Sequence, residues 1–227
     1  VVLTAVWEEI EYTVTYTVLG EVYTTQTYGY GEALVLPEAS AEGFAFEGWD
    51  TDALTVEGDM TVEAILSATV TLGSDFAAEG FAQGEGGWYR SYSLQGTVAE
   101  DFAFGLQLSC AGYAQFGWWC EGNGWQYVSS LAGLDGKTVW TAWVSEVKVE
   151  VTEAKKSWGL WTINGRYTGG AFSGAVSEQI AASAGISCSA QAWLKLSKDG
   201  VNDFDTLNSG NSVGVAADGS FGKDSMT

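Results

Sequence analysis

The 227-residue chain contains no histidine. Ser-His-Asp and Cys-His nucleophilic catalysis are therefore excluded, as is any His-ligated zinc or iron site. Acid–base work by a side chain falls to carboxylates, Lys, Tyr or Cys. Basic residues are scarce: 9 Lys and Arg face 29 Asp and Glu, for a formal net charge of −20. Phosphate backbones and anionic membrane surfaces are held by clustered Lys and Arg, so neither nucleic acid nor a membrane surface is an expected partner. Cysteines are three, Cys110, Cys120 and Cys188, which limits the chain to one internal disulfide. A Cys110–Cys120 bridge needs their strands to pair. Cys110 and Cys188 lie in apolar alternating runs and read as small buried hydrophobes. No stretch approaches the roughly 18–20 apolar residues of a membrane span, so membrane insertion is not expected. The opening VVLTAVWEEI lacks the basic start and cleavage pattern of a signal peptide and reads as the interior of a longer chain.

What is present is enough to fold. Apolar residues make up 46% and charged residues 17%, which is globular rather than disordered composition. The length suits one or two domains. Charge is unevenly spread. Residues 1–66 hold 13 acids and no Lys or Arg; all 9 bases lie beyond. That asymmetry predicts two units dividing near residue 67. A weak internal repeat points the same way. Val1-Val2-Leu3-Thr4-Ala5-Val6-Trp7 lies over Met60-Thr61-Val62-Glu63-Ala64-Ile65-Leu66, so residues 1–7 read as the last strand of a preceding copy.

Within residues 8–66, Tyr12, Val14, Tyr16 and Val18 alternate with Thr13, Thr15 and Thr17, a period-2 strand pattern. Leu19-Gly20-Glu21 predicts a turn, and Val22 to Tyr28 a second strand. Asp59 to Leu66 closes the unit as another strand. Between them stand Tyr28-Gly29-Tyr30-Gly31-Glu32, Leu36-Pro37 with the single proline, and Glu42-Gly43-Phe44-Ala45-Phe46-Glu47-Gly48-Trp49. With the Tyr-Thr-Val-Thr-Tyr strand and the terminal Met60-Thr61-Val62-Glu63-Ala64, residues 8–66 resemble an internalin-type B repeat, the Listeria–Bacteroides repeat. The resemblance implies a β-grasp-like module used in tandem on bacterial surface proteins. It implies a stalk or spacer beside neighbouring repeats of a parent chain, in an extracellular, cell-surface or secreted setting, with no catalytic residues. This copy departs from the family in having no basic residue.

Residues 67–227 carry no recognised family pattern. Strand signals are frequent: Phe102 to Cys110, Val147-Val149-Val151 opposite Glu146-Lys148-Glu150, and Ile186 to Leu196. Asn123-Gly124 and Asn164-Gly165 predict hairpin turns and Asp135-Gly136 a further turn. One short helix is predicted, with Ser177 as N-cap and Gly185 ending it after Ala184. Many strands, regular turns and one helix predict a β-sandwich of jelly-roll type, with a loose Gly-, Ser- and Asp-rich tail after about residue 208.

Tryptophan is the leading functional signal. Nine of 11 fall in this second unit: Trp88, Trp118, Trp119, Trp125, Trp140, Trp143, Trp158, Trp161 and Trp193. Aromatic rings on a sheet stack on sugar C–H faces or anchor protein partners. Neighbours on a strand point to opposite faces, so one of Trp118 and Trp119 is expected to be exposed. Trp118, Trp119, Trp125 and Tyr127 are thus the candidate ligand-binding set for a glycan or a host or cell-surface protein. The commoner fate of such rings is core filling.

Other constellations are weaker. Asp199, Asp203 and Asp205 offer oxygens to a Ca²⁺ ion but lack EF-hand spacing, so a polar turn is the plainer reading. No other cofactor is indicated. A carboxylate glycosidase would draw on Glu100, Asp101, Glu146, Glu150 and Glu153, though the last three fit a solvated strand. Lys155, Lys156 and Lys195 are candidates for a Lys–Asn isopeptide link, which needs a buried Lys, Asn and carboxylate; solvated lysines are the commoner case. Leu36-Pro37-Glu38-Ala39-Ser40 only superficially matches a sortase signal. The sequence therefore predicts a mainly β, non-enzymatic surface segment: a spacer repeat plus a β-sandwich for adhesion or partner binding. The alternative is a carbohydrate-binding module.

Overall fold

The computed structural model describes residues 8–157, 160–187, 195–197, 200–203 and 220–226. The chain is mainly β with one α-helix among the described residues. The first four strands are β1 (Glu11–Val18), β2 (Glu21–Gly29), β3 (Ala45–Trp49) and β4 (Met60–Ser74). β5 (Ala82–Gly84) and β6 (Gly87–Gly96) form a hairpin; β7 (Tyr113–Gly122), β8 (Gly124–Tyr127) and β9 (Thr138–Ser145) follow. These nine make one mixed sheet in the order β2-β1-β4-β9-β7-β8, with β3 and β6 also pairing with β4. β10 (Lys148–Ser157), β11 (Leu160–Thr168) and β14 (Ser220–Met226) form a second sheet; β12 (Lys195–Ser197) and β13 (Gly200–Asp203) form a third.

By compactness the chain makes two units from interleaved segments. One holds residues up to Gly73 with Gly80–Gln107 and Trp118–Trp140. The other holds Ser74–Glu79, Leu108–Gly117 and residues from Thr141 onward.

In the first unit, β1 and β2 form the predicted hairpin, with Leu19 at φ 53° and Gly20 at φ 80°. Two successive positive φ values define a type I′ turn, whose twist suits a two-residue hairpin. β1 then pairs in parallel with β4, Val14 opposite Met60 through Thr17 opposite Glu63. Val14 and Tyr16 are fully buried, as the alternation requires. Residues 30–44 between β2 and β3 contain no helix and are tied down by a tyrosine pair. The Tyr16 hydroxyl donates to the Val35 carbonyl at 2.8 Å and lies 3.1 Å from the Tyr28 hydroxyl. Burial, and then the Tyr28 hydroxyl, push the Tyr16 hydroxyl well above the ordinary tyrosine range.

The strand expected at 59–66 runs on to Ser74. Val62, Ala64, Leu66, Ala68, Val70 and Leu72 are all buried along it, an unbroken period-2 face on one 15-residue strand.

Two other expectations change. Phe102 to Cys110 has the expected alternating burial, but only Phe102–Ala103 and Cys110 take part in defined turns or bridges. The pleat is present without the ladder. Asn164-Gly165 is not a turn. It lies inside β11, where Gly165 pairs with Val151 and Asn164 with Glu153, leaving Thr152 as the extra residue. This is a β-bulge in β10, and Gly165 stands across from it in β11. Asp135-Gly136 is a turn as predicted; the hairpin predicted at Asn123-Gly124 is present, but it turns at Asn123 alone, with Gly124 already paired with Gly122. Residues 1–7, Cys188, Trp158, Trp193, Asp199, Asp205 and the segment 204–219 lie outside the described residues.

The helix, α1, is Ala175–Ala184 and ends on Gly185 in the left-handed region at φ 63°, as predicted. Its start is one turn earlier than predicted. Gly174 is the N-cap, and Ser177 is a buried residue of the first turn.

Candidate functional site

The β7–β8 hairpin sets the predicted aromatic site. Trp119 lies opposite Tyr127, Cys120 opposite Gln126 and Glu121 opposite Trp125. Trp119, Glu121, Trp125 and Tyr127 therefore share one face, and Trp118 takes the other. Trp118 is 3% exposed; its indole N–H donates to the Leu106 carbonyl at 2.7 Å, and its ring meets Phe104 at 5.2 Å. Trp119 is 8% exposed, with Tyr127 edge-on at 5.6 Å. The expectation that one of the two is exposed is thus overturned. The sheet is covered on both faces at this point, on one by the extended 104–106 segment. Trp125 is half-buried and Tyr127 is 63% exposed. The predicted set is brought together, but only its two β8 members reach solvent. The Trp119 indole N–H is buried without a hydrogen-bond partner among the described residues.

The remaining tryptophans with described side chains fill space. Trp88 and Trp140 are half-buried, and Tyr89 packs edge-on against Trp140 at 5.5 Å. Trp143 is fully buried. Trp143 belongs to a polar network in the second unit that the sequence did not reveal. Its indole N–H donates to the Ser74 hydroxyl at 2.8 Å, and its backbone N–H donates to the Ser177 hydroxyl at 2.9 Å. The Ser177 hydroxyl donates to Asp75 Oδ2 at 2.7 Å. The backbone N–H groups of Val176 and Ser177 donate to the same carboxylate at 3.0 and 2.9 Å. Asp75 therefore caps α1 from 101 residues before Val176 in sequence, meeting two of the amides a helix start leaves unpaired. A Cβ on Gly174 would fall 2.3 Å from the Asp75 Cγ, and its φ is 103°; glycine alone fits that approach.

Two of the carboxylates named as catalytic candidates, Asp101 and Glu153, hold other groups. Asp101 sits in a 3-10 turn at Ala99–Phe102, where its Oδ2 accepts from the Thr97 and Val98 N–H groups at 3.0 and 3.3 Å. Glu146 is exposed between β9 and β10, outside the strand expected there, and Glu150 is exposed on β10, where Val149 and Val151 are half-buried. Glu153 pairs with Lys155 and accepts from the Asn164 side chain at 2.7 Å. Those donors, Lys155 first, hold Glu153 below the usual carboxylate range. Lys, Glu and Asn are thus together, as an isopeptide link requires. Lys155 is nevertheless 74% exposed, and its bond to Glu153 raises its pKa. A protonated, hydrated amine is no nucleophile toward Asn164. Lys195 pairs with Asp203 across the β12–β13 hairpin.

Cys110 and Cys120 are free thiols, each half-buried rather than enclosed. Burial raises both pKa values, against the opposing Lys137 charge at Cys120. The bridge between them is not formed, because their strands do not pair: Cys110 bridges back to Tyr113 and Cys120 faces Gln126. Among the described residues no three His, Cys, Asp or Glu side chains gather as a metal site, and no helix is long and apolar enough to cross a membrane.

Residues 12–73 match the family model of the Listeria-Bacteroides repeat domain. The match begins in β1 and extends along β4 as far as Gly73, beyond the boundary at 66 read from the sequence. Residues 74–227 lie outside it. No curated protein matches the chain. Repeats of this family occur in bacterial surface proteins.

Proposed function

We propose that the chain is an extracellular segment of a bacterial surface protein, in which the repeat bears load as a spacer and the remainder presents a surface to a partner. No catalytic step is assigned to it. The supporting observation is the parallel pairing of β1 with β4, Val14 to Thr17 against Met60 to Glu63. These strands lie at the two ends of the matched segment. Tension applied to the ends of that segment slides them past one another, so the hydrogen bonds between them are loaded together. A hairpin pulled open at its ends loses its bonds one at a time. Parallel end strands suit a stalk that must stay folded under pull.

The test is single-molecule force spectroscopy on the full chain. Pulling from the two chain ends should unfold the repeat at higher force than pulling through handles at Glu11 and Glu32, which unzip β1 from β2. Equal or lower force from the ends would refute the load-bearing role. Tyr127, at 63% exposure beside Trp125, favours a glycan as the alternative partner for the remaining surface; Trp118 and Trp119 are too buried to stack on a sugar.

A further inference from the structure

The free side of β2 is long and, from Thr24 to Gly29, in unbroken register with β1. β2 stands at one end of the nine-stranded sheet, and among the described residues no strand pairs with its outer side. An edge strand presents unpaired N–H and C=O groups, and proteins usually blunt such edges with Lys, Pro, short length or bulges. β2 spans nine residues, Glu21–Gly29, without Lys or Pro. Its one irregularity sits at Tyr23, and Thr24 to Gly29 is in uninterrupted register with β1. Val22 and Tyr23 are 64% and 46% exposed, and Thr25 and Thr27 are exposed as well.

Both ends of this edge are acidic. Glu21 opens the strand. At the other end Glu11 pairs with Gly29, the Glu32 carboxylate accepts the Gly29 N–H at 2.8 Å, and the Glu9 carboxylate lies beside Gly29. No base occurs anywhere from residue 8 to 66. A second copy of the chain, itself carrying −20, is repelled from such an edge, whereas a basic strand is drawn to it.

We propose that β2 docks an extended segment of another protein with Lys or Arg at its ends and small or β-branched residues between them, adding it to the sheet as a further strand. Main-chain hydrogen bonds supply the affinity and the acidic ends supply the choice of partner.

The probe is a synthetic peptide of about ten residues, the length of a strand, alternating Thr and Val with Lys at both ends. It is titrated into the full chain at low and physiological salt and followed by fluorescence anisotropy and hydrogen exchange. Binding should slow exchange of amides within residues 21–29 and weaken with salt. A peptide with Glu for Lys, and one with Pro at alternate positions, should each bind at least about tenfold more weakly, through lost attraction and lost main-chain bonds respectively. Glu11→Lys with Glu21→Lys, both on exposed positions, should weaken the Lys peptide several-fold. Binding of the Lys peptide without new protection in 21–29 would overturn the proposal in favour of charge attraction alone. Protection of β2 in the free chain that disappears on dilution would overturn it in favour of a second copy. No binding at low salt would also overturn it.

Discussion

Asp75 shows how much a single side chain carries. Its carboxylate accepts the first amides of α1 and the Ser177 hydroxyl, which in turn accepts the Trp143 amide. Asp75→Ala removes the cap and leaves a buried serine without its acceptor. The expected cost is roughly 1–3 kcal/mol in urea denaturation, with faster exchange of the α1 amides. Unchanged stability would show that water replaces the carboxylate at no cost. The sequence disclosed half of this arrangement. Ser177 is a good capping residue and does sit at the helix start, but it works there as a donor to Asp75. The acceptor lies about 100 residues upstream, and local propensity contains no information on such a pairing. Trp118 and Trp119 fail as predictors for a related reason. Alternation fixes that they point to opposite faces, but whether each face is covered depends on chain remote from both.

At the scale of elements, what was legible was periodicity. The β1 pattern, its hairpin with β2, and the end of α1 at Gly185 follow from residue type and spacing alone. The continuation of β4 was also legible. Ala68, Val70 and Leu72 keep the alternation of Val62, Ala64 and Leu66 without a break, and no Gly or Pro falls at Ser67 to stop it. Asn164-Gly165 misleads because the same dipeptide serves a turn or, less often, a strand interior, and pairing with β10 and β14 decides between them. The loop from 30 to 44 is the converse case: it has no periodicity, and it is held by backbone bonds from residues 31–34 to 54–56, by the Trp49 indole at Pro37, and at Val35 by the Tyr16 and Tyr28 hydroxyls. Tyr16→Phe should lower stability by about 1 kcal/mol, with faster exchange at the Val35 amide, which donates to the Tyr28 hydroxyl. A loss spread evenly over the strands instead would mean that the hydroxyl acts on the core and not on the loop.

For the molecule as a whole, charge dominates. Among the described residues the one ion pair is the exposed Lys155–Glu153 contact, so most of the −20 is uncompensated repulsion. Raising ionic strength from about 0.01 to 0.15 M contracts the screening length from roughly 30 to 8 Å. The melting temperature should therefore rise with sodium chloride over that range. A fall would mean that attractive charge pairs outweigh the repulsion. Repulsion between like-charged copies opposes self-association at the open β2 edge, a task that Lys or Pro performs in other sheets.

The cap on α1 also sets an order of events during synthesis. Asp75 is made 101 residues before Val176, whose amide it binds. At about 5–20 residues per second, the carboxylate waits on the order of 5–20 s for the helix it completes. Throughout that interval Asp75 has no helix to cap and the Trp143 amide has no Ser177 hydroxyl to donate to. A product cut short before Ala175 keeps the Asp75 carboxylate and the Trp143 amide without these partners, so the effect of a late truncation is felt by groups made long before it.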